Sequence, residues 1–322
     1  MRLALVFAAA AILFAQQAPP PRAMSHAEFD GLMKELSNWG RWGKTDERGT
    51  LNLITPASRL AASKLVREGV AVSLSREADK EKAVDNGRPL IHEMLSSSEK
   101  PGADIFTDLI SVAVHGIAHT HMDALCHFSY QGRSYNGFPI SDVTGKGAKH
   151  LNITTAKDGI YARGVLVDIA QMKGLPYLEP GTAIYPEDLE AWEKFARVRI
   201  RQGDVLLIRS GRWARRAEKG PWNLAERAGL HASSMRWLHK RDIAVLGGDA
   251  SQDVRPSGVE GVDQPVHLLS LIAMGTPIFD NVNLEDVAKE CARRKRWEFL
   301  VTAAPLRVPD ATGTAINPIA IF

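Results

Sequence analysis

The sequence predicts a single-domain α/β protein with mixed sheets packed by helices. Three observations carry that expectation. Short β-branched runs bounded by Gly or Asp alternate with amphipathic stretches along most of the chain, the pattern of sheets covered by helices. The 322 residues, 45% of them hydrophobic, suffice for a large core. Beyond Arg22 no low-complexity tract, internal repeat or linker interrupts the pattern, so residues 23–322 read as one globular unit.

The elements follow in chain order. A single Arg2 precedes an apolar run at 3–14, then the small Ala15 and a Pro-rich stretch to Arg22. Residues 1–22 therefore read as a secretory signal peptide and linker, which predicts a periplasmic or secreted protein with no stable membrane span after processing; an uncleaved anchor is the alternative. Residues 29–36 form a short helix pattern, and 38–52, rich in Gly and Trp, form a loop. Thr55 and Pro56 open a helix that Gly69 stops. Strands are expected at 70–74 and 105–118, then at 164–169, 204–208, 243–246 and 277–279. Helices are expected at 186–196, whose acidic first turn suits the helix dipole, and at 233–240, 267–274 and 284–294.

Chemistry concentrates between residues 115 and 127, where His115, His119, His121, Asp123 and His127 place four of the ten histidines beside a carboxylate. Core segments use histidine sparingly, because each buried ring nitrogen needs a partner, whereas imidazole and carboxylate together suit zinc, manganese or ferrous iron. On a strand, His119, His121 and Asp123 would leave the same face and converge on one ion; a helix would scatter them. The same alternation points Cys126 away from that face, which disfavours it as a nucleophile. With Cys291 as the second cysteine, one disulfide is possible and no framework is implied.

Composition excludes other classes. The 40 basic and 37 acidic residues nearly cancel and are dispersed, without a Lys/Arg stripe interleaved with aromatics, so nucleic acid is not an expected partner. No G-x-S-x-G elbow is present, and Ser210 lacks that context, which disfavours a serine hydrolase.

The segment His119-Thr-His121-Met-Asp123-Ala-Leu-Cys-His127 resembles the signature H-x-G-T-H-x-D-x-P-x-H of the metal-dependent cyclase family, which includes bacterial kynurenine formamidase and isatin hydrolase. Further stretches fall in the family's order: Gly203-Asp204 with Ser210-Gly211, the turn at Asp249, Pro265-Val-His267, and the run from Pro277 to Leu284. The likeness spans residues 39–321. Two departures stand out: Ile117 occupies the place of the family's first His, and His119 the place of a Gly. His119 is the expected substitute ligand and His115 the second candidate, while Leu125 in place of the family's Pro alters only the turn.

The resemblance implies a swivelling β/β/α-like fold and one divalent metal ion, zinc or manganese, held by His119, His121, Asp123, His267 and Asp280. The shortened acid at Asp280 and the loss at position 117 favour one ion over two. Asp280 could instead cap the following helix or sit in a turn. His127 matches the family's catalytic histidine and would shuttle a proton between water and leaving group. Trp39, Trp42 and Phe138 could wall a substrate pocket, joined by His231, for which a helix-start role is an equal reading. The implied activity is hydrolysis of a small amide, arylformamides such as N-formylkynurenine being the expected substrate class. Hydrolysis of a lactone or cyclic imide and a polyketide-type cyclase are alternatives on the same fold, and a non-catalytic secreted metal-binding protein is a rival. Relatives associate as dimers or tetramers, so a homo-oligomer is expected.

Overall fold

The runs Ile160–Asp168, Val205–Arg209, Val245–Gly248 and Ile278–Asp280 are buried at mostly consecutive positions, which requires cover on both faces of each strand. The computed structural model describes residues 18–99, 102 and 104–322 and meets that requirement by setting the four strands side by side and parallel. The apolar run on which the export expectation rests lies outside the described residues.

Antiparallel neighbours extend the parallel block to nine strands. Glu298–Ala303, Ile319–Ile321 and Ala71–Ser73 continue it on one side; His121–Asp123 and Gly313–Ala315 continue it on the other. Helices Pro56–Ser63, Pro186–Ala196 and Glu285–Arg294 pack on Ile160–Asp168, and the buried apolar side chains form one contiguous cluster. This is the mixed α/β architecture the sequence predicts. Local chemistry sets the helix starts: Thr55 and Ser58 form a capping box ahead of Pro56, and Asp188 accepts from the Tyr185 N–H ahead of Pro186. Among the described residues no helix is long and apolar enough to cross a membrane.

Three segments differ from expectation. The expected helix at 267–274 begins as α-helix at Pro265–His267 and then widens into a π-helix, Leu268–Met274, ended by Gly275 at φ +65°. The Arg-rich helix Arg212–Lys219 has too few apolar positions to show a buried stripe in sequence, yet it buries Arg212 and Trp213. Only Thr107–Ser111 of the expected strand at 105–118 is a strand, and it pairs with Ile91–Ser96 as a two-stranded arm outside the main sheet. From residue 112 to 120 the chain is irregular. Side chains from distant elements take the carbonyls of Gly116, Ile117 and His119, leaving no ladder for a strand to join.

Candidate metal centre

The centre sits where the sheet changes sense. Ligand sites in open α/β sheets form beyond the carboxyl ends of parallel strands, at the point where strand order switches. Here Ile278–Asp280 is the last parallel strand and His121–Asp123 its antiparallel neighbour, with Asp280 opposite His121 and Ile278 opposite Asp123. Residues two apart and residues directly paired share a face, so His121, Asp123 and Asp280 project together. His267 enters from the short helix that precedes the π-turn.

The donor atoms are close. Those of His121, Asp123 and Asp280 lie within 4.8 Å of one another. His121 Nε2 is 3.3 Å from Asp123 Oδ1, His267 Nε2 is 3.2 Å from Asp280 Oδ2, and the same nitrogen is 3.7 Å from Asp123 Oδ2. Ligands about 2.1 Å from a tetrahedral ion stand roughly 3.4 Å apart, so these spacings suit a shared cation. The decisive observation is Asp123 Oδ2: Asp123 is buried, and this oxygen has no hydrogen-bond partner. An orphaned buried carboxylate oxygen is costly unless a cation claims it. The residues present therefore fit a divalent metal ion.

Outer partners fix which ring nitrogen each histidine presents. His121 Nδ1–H donates to the His119 carbonyl at 2.9 Å, so that once the ring is neutral Nε2 is the nitrogen that carries the lone pair. His267 Nδ1–H donates to Asp253 Oδ2 at 2.5 Å, with the same result, and the other oxygen of Asp253 accepts the Val266 N–H at 2.6 Å. Gln252 Nε2 donates to Asp280 Oδ1 at 3.0 Å. His115 Nδ1–H donates to Asp123 Oδ1 at 2.9 Å and its Nε2 meets Thr312 Oγ1 at 2.8 Å, while its ring stacks on His127 with centroids 3.5 Å apart. A side chain at Gly313 would collide with this arrangement, since its Cβ would lie 2.7 Å from His115 Cε1.

The fields are strong. Burial works against charge on His121, but Asp123 and then Asp280 overcome it and lift the imidazole to about 9. His267 is raised well above the ordinary histidine value, again against burial, by Asp280 and Asp253. Burial acts to raise Asp123, yet His121 and His115 hold it well below the usual carboxylate range. His127 behaves oppositely: burial pushes it down to about 4, with Asp123 only partly offsetting, so its ring is neutral at physiological pH. Burial pushes the Cys126 thiol up to about 12, and both cysteines are buried and free.

Of the residues the sequence nominates, the structure brings His121, Asp123, His267 and Asp280 together, with His127 and His115 alongside Asp123. Asp280 ends a strand and points inward, so it neither caps a helix nor sits in a turn. His119 is the correction. It precedes the strand, so the alternation that would aim it at the ion does not reach it; its ring meets the Arg88 backbone and lines a separate cavity of about 360 Å³ with Arg76 and Asn317. His115, carried by the irregular loop, takes its place beside Asp123.

The expected substrate walls also lie elsewhere. Trp39 donates its Nε1–H to the Ile272 carbonyl at 2.7 Å and lines a cavity of about 720 Å³ with Tyr130 and Met33. Trp42 lies under the Arg41 guanidinium, and Phe138 packs on His150. His231 spends both nitrogens on the Arg22 carbonyl and Ser233 Oγ, a structural tie for the N-terminal segment. Phe128, 5.2 Å from the His267 ring, is the aromatic that does border the centre. Sequence reasoning missed Asp253, Thr312 and Gln252, for which no local spacing gives a signal.

The family model described as "Putative cyclase" matches residues 84–252. A solved structure described as a novel cyclase shares 32% identity at a TM-score of 0.80, covering 90% of this chain and 99% of its own. The fold is also that of isatin hydrolase A from Labrenzia aggregata, at 20% identity and TM-score 0.56, and of isatin hydrolase A from Ralstonia solanacearum, at 20% and 0.55; each covers 83% of this chain and 98% of the other. No curated protein matches the chain. The match over more than half of the sequence, together with 32% identity across nearly all of it, establishes that this chain belongs to the cyclase family.

Proposed function

We propose that this chain is a metal-dependent hydrolase that adds water across the carbon–nitrogen bond of a small aryl amide, either an arylformamide or a ring-closed relative such as a lactam. The observation that carries this reading is the orphaned Asp123 Oδ2 within a buried set of imidazole and carboxylate donors, beside a neutral histidine. His121 Nε2, Asp123, His267 Nε2 and Asp280 would hold the ion. A divalent ion bound there polarises the carbonyl and lowers the pKa of water.

The chain's own groups supply the rest. Half-buried at the edge of the centre, His127 is neutral and accepts the proton that the attacking water gives up, then returns it to the departing nitrogen as the carbon–nitrogen bond breaks. Stacking on His115 fixes the plane of the His127 ring, and the two bonds from His115 to Asp123 and Thr312 fix His115 in turn. Burial excludes bulk water from all four ligands, which strengthens each electrostatic interaction. Neither thiol is suited to be a nucleophile, and Ser210 Oγ is bound to Asp249 at 2.7 Å, so none of these three groups supports a covalent route.

The ring-opening variant is favoured by the isatin hydrolases that share the fold, and it differs from the arylformamide reading only in whether the leaving nitrogen stays tethered. Purified protein loaded with zinc or manganese, assayed on formanilides, N-formylkynurenine, isatin, lactones and cyclic imides with and without chelator, tests both. Hydrolysis of an amide that chelator abolishes is the expected result. Stoichiometric metal with no turnover on any of them would instead favour a binding protein, and a product without the gain of one water would favour a cyclase. The reading extends to an exported homo-oligomer, checked by cell fractionation and by mass in solution.

A further inference from the structure

The loop from residue 112 to 120 carries His115 and supplies the carbonyl that orients His121, yet it has no backbone ladder of its own. The carbonyls of Gly116, Ile117 and His119 are held by two buried side chains. Asn281 Nδ2 donates to Gly116 O at 2.8 Å and to His119 O at 3.1 Å, and Thr120 Oγ1 donates back to the Asn281 carbonyl at 2.8 Å. Arg212 donates from Nη1 to Asn281 Oδ1 at 2.5 Å and from Nη2 to the Ile117 carbonyl. Both side chains are buried, and among the described residues no carboxylate makes ion-pair contact with the Arg212 guanidinium. Taking a guanidinium out of water without a carboxylate in contact is expensive; Asp85 and Asp249 act on it only at longer range, its Nη1 and Nη2 donors go to Asn281 and the loop, and its Nε–H has no partner.

Asn281 stands at a crossing point. It follows Asp280 directly and adopts φ +56°, a left-handed backbone that Asn tolerates better than most residues. The His119 carbonyl it holds is the one that accepts from His121 Nδ1. We propose that Asn281, clamped by Arg212, is a positioning residue that presets the 112–120 loop, and through the His119 carbonyl the Nε2 of His121, to receive the divalent ion. This rests on the metal centre described above. Asn281 and Arg212 act through the ligands and need not touch substrate.

The test is cobalt(II) titration of the metal-free full-length protein, read by visible absorption and by competition with a chelator. Asn281→Asp keeps the shape and the bond from Arg212 but loses both donors to the loop. It also adds a negative charge, which by itself would tighten cation binding. A ten- to hundredfold weaker Kd with altered cobalt bands is expected, the cost typical of losing an outer-shell partner. Arg212→Lys, which keeps the charge and removes the forked donors, should weaken binding in the same direction and serves if the first variant does not fold. A folded Asn281→Asp or Arg212→Lys that binds cobalt with wild-type Kd and spectrum overturns the proposal, whatever happens to its melting temperature. Wild-type protein that binds cobalt and hydrolyses nothing would sink the hydrolase reading and leave this one standing.

Discussion

Asp253 offers the sharpest test of how the centre is built. It is fully buried and its two oxygens accept two hydrogens, one from Val266 N at 2.6 Å and one from His267 Nδ1 at 2.5 Å. Asn at this position has one acceptor and an amide that only donates, so one of those two N–H groups must face another donor. Either the Val266 N–H goes unsatisfied, or His267 shifts its hydrogen to Nε2 and loses the lone pair aimed at the ion. A buried donor left without a partner costs about 1–3 kcal/mol, and where that cost is felt at the ion it is roughly a 5- to 150-fold loss of affinity. Loss of a negative charge near the cation acts in the same direction. Asp253→Asn should therefore weaken metal binding by about tenfold to a hundredfold, measured by chelator competition on the folded protein. Asp263→Asn is the control: Asp263 pairs with Arg255 at 2.9 Å but is 87% exposed, so its removal should leave the metal Kd unchanged. If Asp253→Asn binds the ion as tightly as wild type, the tautomer argument for His267 is wrong.

Three further outcomes are expected. His127→Ala should keep its metal while turnover falls by about two to four orders of magnitude; loss of the ion as well would make His127 a ligand. His119→Ala should retain both metal stoichiometry and metal Kd, because its ring lies outside the donor set, and a metal-depleted variant would restore it as a ligand. Metal uptake should be strongly pH-dependent. With His121 lifted to about 9 and His267 also raised, both rings are charged at pH 7 in the metal-free protein, whereas a ligand must be neutral. Binding should thus release about two protons per ion near neutrality, with affinity rising as pH rises and levelling once the rings have lost their protons, read by indicator dye in weak buffer. Affinity that stays flat between about pH 6.5 and 8.5 would contradict the charge states inferred for the two rings.

What was legible in the sequence, and what was not, divides along one physical line. The alternating strands and the shared face of His121 and Asp123 follow from local pattern; Asp280 is nominated by the family resemblance alone, and its place opposite His121 comes from the pairing of Ile278–Asp280 with His121–Asp123, whose register brings the three groups to one face. The choice between His115 and His119 is of another kind. Alternation predicts His119 only if the strand extends back to it, and whether it does depends on who takes the carbonyls upstream. Asn281 and Arg212 take them, across sequence separations of 162 residues for the bond to His119 and 95 for the bond to Ile117, so no window around the histidines could show that the strand must begin at His121. The same holds for Asp253, which reads as an ordinary loop acid until the π-helix and its preceding turn bring His267 onto it. Trp39 misled for a related reason: an aromatic in a Gly-rich loop suggests a ligand wall, but its indole N–H needs an acceptor and found one in the Ile272 carbonyl, on the π-helix and away from the metal ligands. Strand pairing thus gathers three of the four candidate ligands, the short helix Pro265–His267 brings the fourth, and polar contacts between distant segments orient them. Substitutions in these polar contacts should therefore alter metal affinity without altering which atoms bind it.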